Sequence, residues 1–101
     1  MIEKIKTKED FDRLTAMKDK TVLIDFYADW CGPCKMISPV IESIEAEWDN
    51  VVVGKLNVDE NIALAQAFRV VSIPTVLIYK NGENTGRIVG FQTKEEIEAQ
   101  L

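Results

Sequence analysis

The sequence predicts an α/β fold of three layers, a mixed central sheet of about five strands with about four helices divided between its two faces. Three observations carry that prediction. Apolar runs alternate with segments of helical periodicity, giving strand-helix-strand-helix-strand-helix before a final strand pair and a closing helix. The Asn81-Gly82 pair between two extended runs marks a hairpin, so an antiparallel pair is added to strands joined by right-handed crossovers. Finally, the 101 residues contain no repeat, linker or low-complexity stretch and are 47% hydrophobic and 29% charged, which suits one globular domain over residues 1–101.

Each element has its own signal. Ile2 and Ile5 flank lysines in a short opening segment, readable as an edge strand whose charges discourage edge-to-edge pairing. Thr7 is the expected N-cap of the first helix, with Glu9 and Asp10 in its first turn. Phe11, Leu14 and Met17 recur along it at helical spacing. Thr21–Tyr27 is nearly continuous in apolar residues, the pattern of a central strand covered on both faces. A long helix is expected over about 32–48, with Met36, Val40, Ile41 and Ile44 inward and a kink at Pro39. Residues 51–58 read as the next buried strand, after which Asp59 is placed to cap a short helix carrying Ile62, Leu64, Ala65 and Phe68. Residues 75–79 form another strand, and the return strand is expected near 86–89. Thr93 with Glu96 is a capping box for a last helix carrying Ile97 and Leu101.

Composition excludes several functions. A net charge of -5 leaves no basic stripe to neutralise phosphates, so nucleic acid is not an expected partner. No apolar run is long enough to span a membrane, and Met1-Ile2-Glu3-Lys4 does not open a signal peptide, so a cytoplasmic location is expected. There thiols are kept reduced, and a lone cysteine pair is more often catalytic than structural. The chain has no histidine and two cysteines. A zinc knuckle within one chain is therefore excluded, as is a Cys-His nucleophilic pair. Proton handling falls to a carboxylate, a lysine or water.

The two cysteines stand in Trp30-Cys31-Gly32-Pro33-Cys34, where an apolar strand ends and a helical pattern begins. If Cys31 caps that helix, its sulfur lies beside free backbone N–H groups and the positive end of the helix dipole, which favour the attacking thiolate. Cys34 falls three residues on, on the same helical face, where it can close a small ring. Gly32 allows a tight bend, and Pro33 suits a first-turn position that needs no N–H. A purely structural staple fits poorly, because so short a loop removes little unfolded-state entropy. Asp25, an ionisable residue in an apolar strand, is either an acid/base group with a pKa raised by burial or a strand-end carboxylate that reaches water or Lys55. Trp30 is open to a role in the core or beside the reactive sulfur, whereas Trp48 is assigned to packing.

These residues resemble the thioredoxin family. The resemblance runs through Val22-Leu23-Ile24-Asp25-Phe26, Trp30-Cys31-Gly32-Pro33-Cys34-Lys35, Lys55-Leu56-Asn57-Val58-Asp59, Ile73-Pro74-Thr75 and Val89-Gly90. It implies a small, monomeric dithiol protein that reduces disulfides in other proteins and binds no cofactor itself. Its electrons would come from NADPH through a flavin-containing thioredoxin reductase. The resemblance implies Cys31 as nucleophile, Cys34 as resolving cysteine and the redox disulfide between them. It makes Asp25 the proton relay, with Lys55 as its modulator or a solvated strand-end lysine. It places Trp30, Gly32 and Pro33 on the active-site surface. X-Pro bonds are cis in only about 5–6% of cases, so a cis Pro74 against the sulfurs is implied by the family alone. Ile73 would then offer its backbone to an extended substrate, and Gly90 would wall the groove or simply end a strand. Tyr27, Val71, Ser72 and Phe91 depart from the commonest family pattern. They leave the dithiol chemistry intact and put partner choice in doubt. An oxidant or isomerase, and a redox-gated binding module, are the competing readings.

Overall fold

The computed structural model describes residues 1–101. Its elements run β1 (Ile2–Lys4), α1 (Lys8–Thr15), β2 (Thr21–Tyr27), α2 (Gly32–Glu47), β3 (Val51–Asn57), α3 (Ile62–Ala67), β4 (Thr75–Lys80), β5 (Glu83–Val89) and α4 (Lys94–Glu98). The strands form one mixed sheet in the order β1-β3-β2-β4-β5. β1 and β2 both run parallel to β3, while β4 is antiparallel to β2 and β5. The expected α/β sandwich and the edge position of β1 are thus observed, and β2 lies at the centre of the sheet.

Local chemistry accounts for the element ends. At α1 the Asp10 N–H donates to Thr7 Oγ1 at 3.1 Å and the Thr7 N–H donates to Asp10 Oδ2 at 3.1 Å, a reciprocal cap. Thr93 and Glu96 repeat the arrangement at α4. Asn81 and Gly82 have φ of 52° and 84°, the pair of left-handed residues that a tight hairpin turn requires. β5 begins at Glu83, earlier than the sequence pattern suggested, and a register shift in the β4–β5 ladder falls between Ile78 and Tyr79.

Alternation along the strands divides the core in two. Val22, Ile24, Phe26, Val52, Leu56 and Leu77 face α1 and α3, meeting Phe11, Leu14 and Leu64. Leu23, Val51, Val53, Val76, Ile78 and Ile88 face α2 and α4, meeting Ile37, Ile41, Ile44 and Ile97. Gly54 belongs to the first face, where a Cβ would come within 2.7 Å of Ile5 Cδ1 and 3.0 Å of Leu14 Cδ1.

Two expectations are corrected. Met36 is 60% exposed, and the inward stripe of α2 is Cys34, Ile37, Ile41 and Ile44, which follows the helical period more closely. Asp59 does not cap α3. That position belongs to Asn61, whose side chain makes no capping bond. α2 runs on through Pro39 to Glu47. Trp48 packs against the second core, and its Nε1 donates to Glu98 Oε2 at 2.8 Å.

Candidate active site

β2 ends at Tyr27 and a short turn delivers Cys31 to the N-cap of α2, with φ of -89° and ψ of 112°. The Cys34 N–H donates to Cys31 Sγ at 3.2 Å. One of the helix's unpaired donors therefore points at the sulfur, the arrangement that stabilises negative charge there. Pro33 occupies the first turn, as its missing N–H allows. Cys31 and Cys34 are joined in a disulfide with Cα atoms 5.3 Å apart. Both are covered, at 4% and 3% exposure, so surroundings rather than accessibility distinguish them.

Cys31 faces the loop before β4. The Ile73-Pro74 peptide bond is cis, and the Ile73 carbonyl oxygen lies 3.7 Å from Cys31 Sγ. A disulfide sulfur has no proton to donate, so this is a packing contact. The Gly90 N–H donates to the Pro74 carbonyl at 2.8 Å, which holds the end of β5 beside the same loop. Gly90 has φ of 82°, so the turn itself favours glycine, and a Cβ there would meet nothing within 4 Å. Gly32 differs. Its φ lies outside the left-handed range and a Cβ would also meet nothing within 4 Å, so the bend expected to need glycine does not need it. Gly32 is exposed, next to Cys31 in the chain.

Trp30 is 71% exposed, which removes it from the core. Its Nε1 donates to Asp59 Oδ2 at 2.8 Å, and this is the use the fold makes of Asp59. Trp30, Val58, Val70, Val71, Ser72 and Ile73 line an open, mainly apolar groove of about 160 Å³. Phe91 and Val71 are both exposed, Phe91 just beyond Gly90.

Cys34 faces the other way. It borders a cavity of about 360 Å³ shared with Asp25, Lys55, Ser38, Asp29 and Lys35. Asp25 is 1% exposed, and neither of its carboxylate oxygens has a hydrogen-bond partner. Burial pushes its pKa up to about 6; the nearby Lys55 charge opposes this and Glu42 adds to it. Lys55 sits directly beside Asp25 in the β2–β3 register but does not hydrogen-bond to it. Its Nζ instead donates to Ser38 Oγ at 2.7 Å and stands 5.3 Å from the centre of the Tyr27 ring. Asp25 is therefore not a strand-end carboxylate that reaches water, and Lys55 is half-buried at the edge of the cavity. Ser38 is the residue that sequence reasoning missed; its signal was a polar side chain one turn beyond Cys34 and one turn before Glu42.

The site thus joins a helix-capping disulfide, an apolar groove and a buried carboxyl with access to the inner sulfur. Such a set, once its cysteine pair is reduced to the dithiol, can pass two electrons to another disulfide and handle the accompanying proton. The model of the Thioredoxin family matches residues 3–101. A thioredoxin of Alicyclobacillus acidocaldarius subsp. acidocaldarius is 51% identical over 84 residues, 82% of this chain and 80% of the relative. One from Chlamydia pneumoniae is 45% identical over 92 residues, covering 91% of this chain and 88% of the relative. A mutant thioredoxin of Halobacterium salinarum NRC-1 superposes with a TM-score of 0.87 at 40% identity, over 97% of this chain and 85% of that one. The oxidised mitochondrial thioredoxin 3 of Saccharomyces cerevisiae also gives 0.87, at 34% identity over 97% and 91% of the two chains. The chain belongs to the thioredoxin family, and it is a protein-disulfide reductase with a redox-active cysteine pair.

Proposed function

We propose that Cys31 is the attacking sulfur, Cys34 the resolving one and Asp25 the acceptor of the Cys34 proton. In the reduced protein the Cys31 thiolate attacks one sulfur of a substrate disulfide. A Cys31–substrate bond forms, the substrate S–S bond breaks, and the released thiolate takes a proton from water. Asp25 then removes the Cys34 proton, directly or through a water in the shared cavity, whose volume is ample for one. The Cys34 thiolate attacks Cys31 Sγ and expels the second substrate thiolate. Two electrons have passed to the substrate, and the protein is left with the Cys31–Cys34 disulfide.

The observation that carries this reading is the division of the two sulfurs. Cys31 lies at the helix N-cap against Ile73 and receives an N–H, while Cys34 opens onto the cavity of an unpartnered Asp25. Trp30, Gly32, Pro33, Ile73, Pro74 and Gly90 form the surface on which an extended substrate segment lies, pairing with the Ile73 backbone. The protein partners are disulfide-bearing substrates and a flavin-containing thioredoxin reductase that returns electrons from NADPH, with no cofactor resident in this chain. Residues 1–101 work as one domain and a monomer in the cytoplasm, without nucleic acid or membrane partners. No helix is long and apolar enough to cross a membrane.

The test is Cys34→Ser. With the resolving sulfur gone, a disulfide peptide of known sequence should remain bound to Cys31 as a stable adduct, read by mass spectrometry. Prompt release without an adduct would remove the assignment.

A further inference from the structure

Ser38 is not part of the dithiol, yet two charged residues meet at its hydroxyl. Lys55 Nζ donates to Ser38 Oγ at 2.7 Å, and Ser38 Oγ donates to Glu42 Oε2 at 3.0 Å. Ser38 and Glu42 stand one turn apart on α2, where side chains meet. Lys55 comes from β3, next to Asp25 in register, and stretches across the cavity to reach them. Two carboxylates therefore compete for one ammonium. Glu42 is exposed and reaches it through the serine hydroxyl; Asp25 is buried, adjacent, and has no hydrogen-bond partner.

We propose that Ser38 is a positioning residue that holds the Lys55 ammonium on the α2 side of the cavity and so leaves the Asp25 carboxyl unpaired. The other groups around Asp25 do not offer the same choice. β2 contributes Tyr27, the turn after it Asp29, and α2 Cys34 and the exposed Lys35. β4 places the uncharged Val76 opposite Asp25. Lys55 is the cation on the neighbouring strand, and Ser38 is the side chain that accepts its hydrogen bond. Without that acceptor the ammonium loses its link to Glu42, and the unpartnered oxygens of Asp25, beside Lys55 in the strand register, are free to take it up.

An opposite charge brought within hydrogen-bonding range lowers a carboxyl pKa by about 1–3 units. The experiment is a carbon-13 NMR titration of the Asp25 carboxyl in the full oxidised chain. Ser38→Ala should lower its midpoint by about 1 pH unit. Ser38→Thr, which restores a hydroxyl, should return it to the native value. In a Lys55→Met background, Ser38→Ala should have no effect. An unchanged or raised midpoint in Ser38→Ala overturns the proposal, as does a fall that persists without Lys55. Alanine suits a helix interior, so folding is not at risk. The inference rests on the proton-acceptor reading of Asp25 only for its consequence in turnover. A lowered midpoint with an unmoved pH–rate profile would leave Ser38's role standing and count against that reading alone.

Discussion

The two faces of the sheet each carry their own apolar core and end differently. Under α1 and α3 the core runs from Ile5 to Leu77 with Phe11, Phe26, Phe68 and Tyr79 packed ring against ring. Under α2 and α4 it is aliphatic, built on Leu23, Val53, Ile37, Ile41 and Ile44. That second face does not close. Two residues beyond Leu23, on the same strand and the same side, stands Asp25, and two beyond Val53 stands Lys55. Both positions of β2 are fully covered, yet one meets only carbon and the other carries a carboxyl with no partner. The contrast places the chemistry. A face packed to its end holds the fold, and a face interrupted by an unpaired acid supplies a group whose proton affinity lies near neutrality.

Truncating the dry part of that face should have the largest effect. Ile41→Ala removes a buried side chain from the α2 stripe and should destabilise by about 2–5 kcal/mol in urea unfolding. A loss under about 1 kcal/mol would mean that α2 is not held by this packing.

Asp25→Asn should act in the opposite direction. The folded-state pKa of about 6 exceeds the ordinary 3.8, so between those values the folded protein binds more protons than the unfolded chain. Stability therefore falls as pH rises through that window, and above it the charged carboxylate costs roughly 3 kcal/mol. Asn carries no charge at any pH. The variant should be more stable than the native protein by up to about 3 kcal/mol at pH 8 and nearly equal to it below pH 4. A constant difference across pH would detach the effect from ionisation.

Gly54→Ala sharpens the comparison from the other face. The added methyl would crowd Ile5 and Leu14, costing about 1–3 kcal/mol. The pH–rate profile should not move, because Gly54 points away from the Asp25 cavity. A shifted profile would show that the two faces are not separable.

Much of this was legible in the residues. Reciprocal caps need only neighbours in sequence, so Thr7 and Thr93 were readable. The hairpin at Asn81-Gly82 is equally local. Asp25 stood out because an apolar strand has no reason to contain a charge. Met36 misled because an apolar side chain beside Ile37 satisfies a coarse helical pattern, while the true stripe lies about 100° away. Asp59 misled because its capping preference is local and its partner, the Trp30 indole, is 29 residues distant. Ser38 was hidden for a similar reason: polar residues on an amphipathic helix ordinarily face water, and only the fold brings Lys55 over it.

The central claim is that Asp25 accepts the Cys34 proton. Its direct test is the rate of mixed-disulfide resolution measured from pH 5 to 9 in the native protein and in Asp25→Asn. The native rate should fall as pH drops below about 6, where Asp25 becomes protonated. The variant should be slower by about 100-fold at pH 7, the low end of what a positioned base supplies, and should recover as the pH rises and hydroxide takes the proton in its place. Superimposable native and variant profiles would contradict the account.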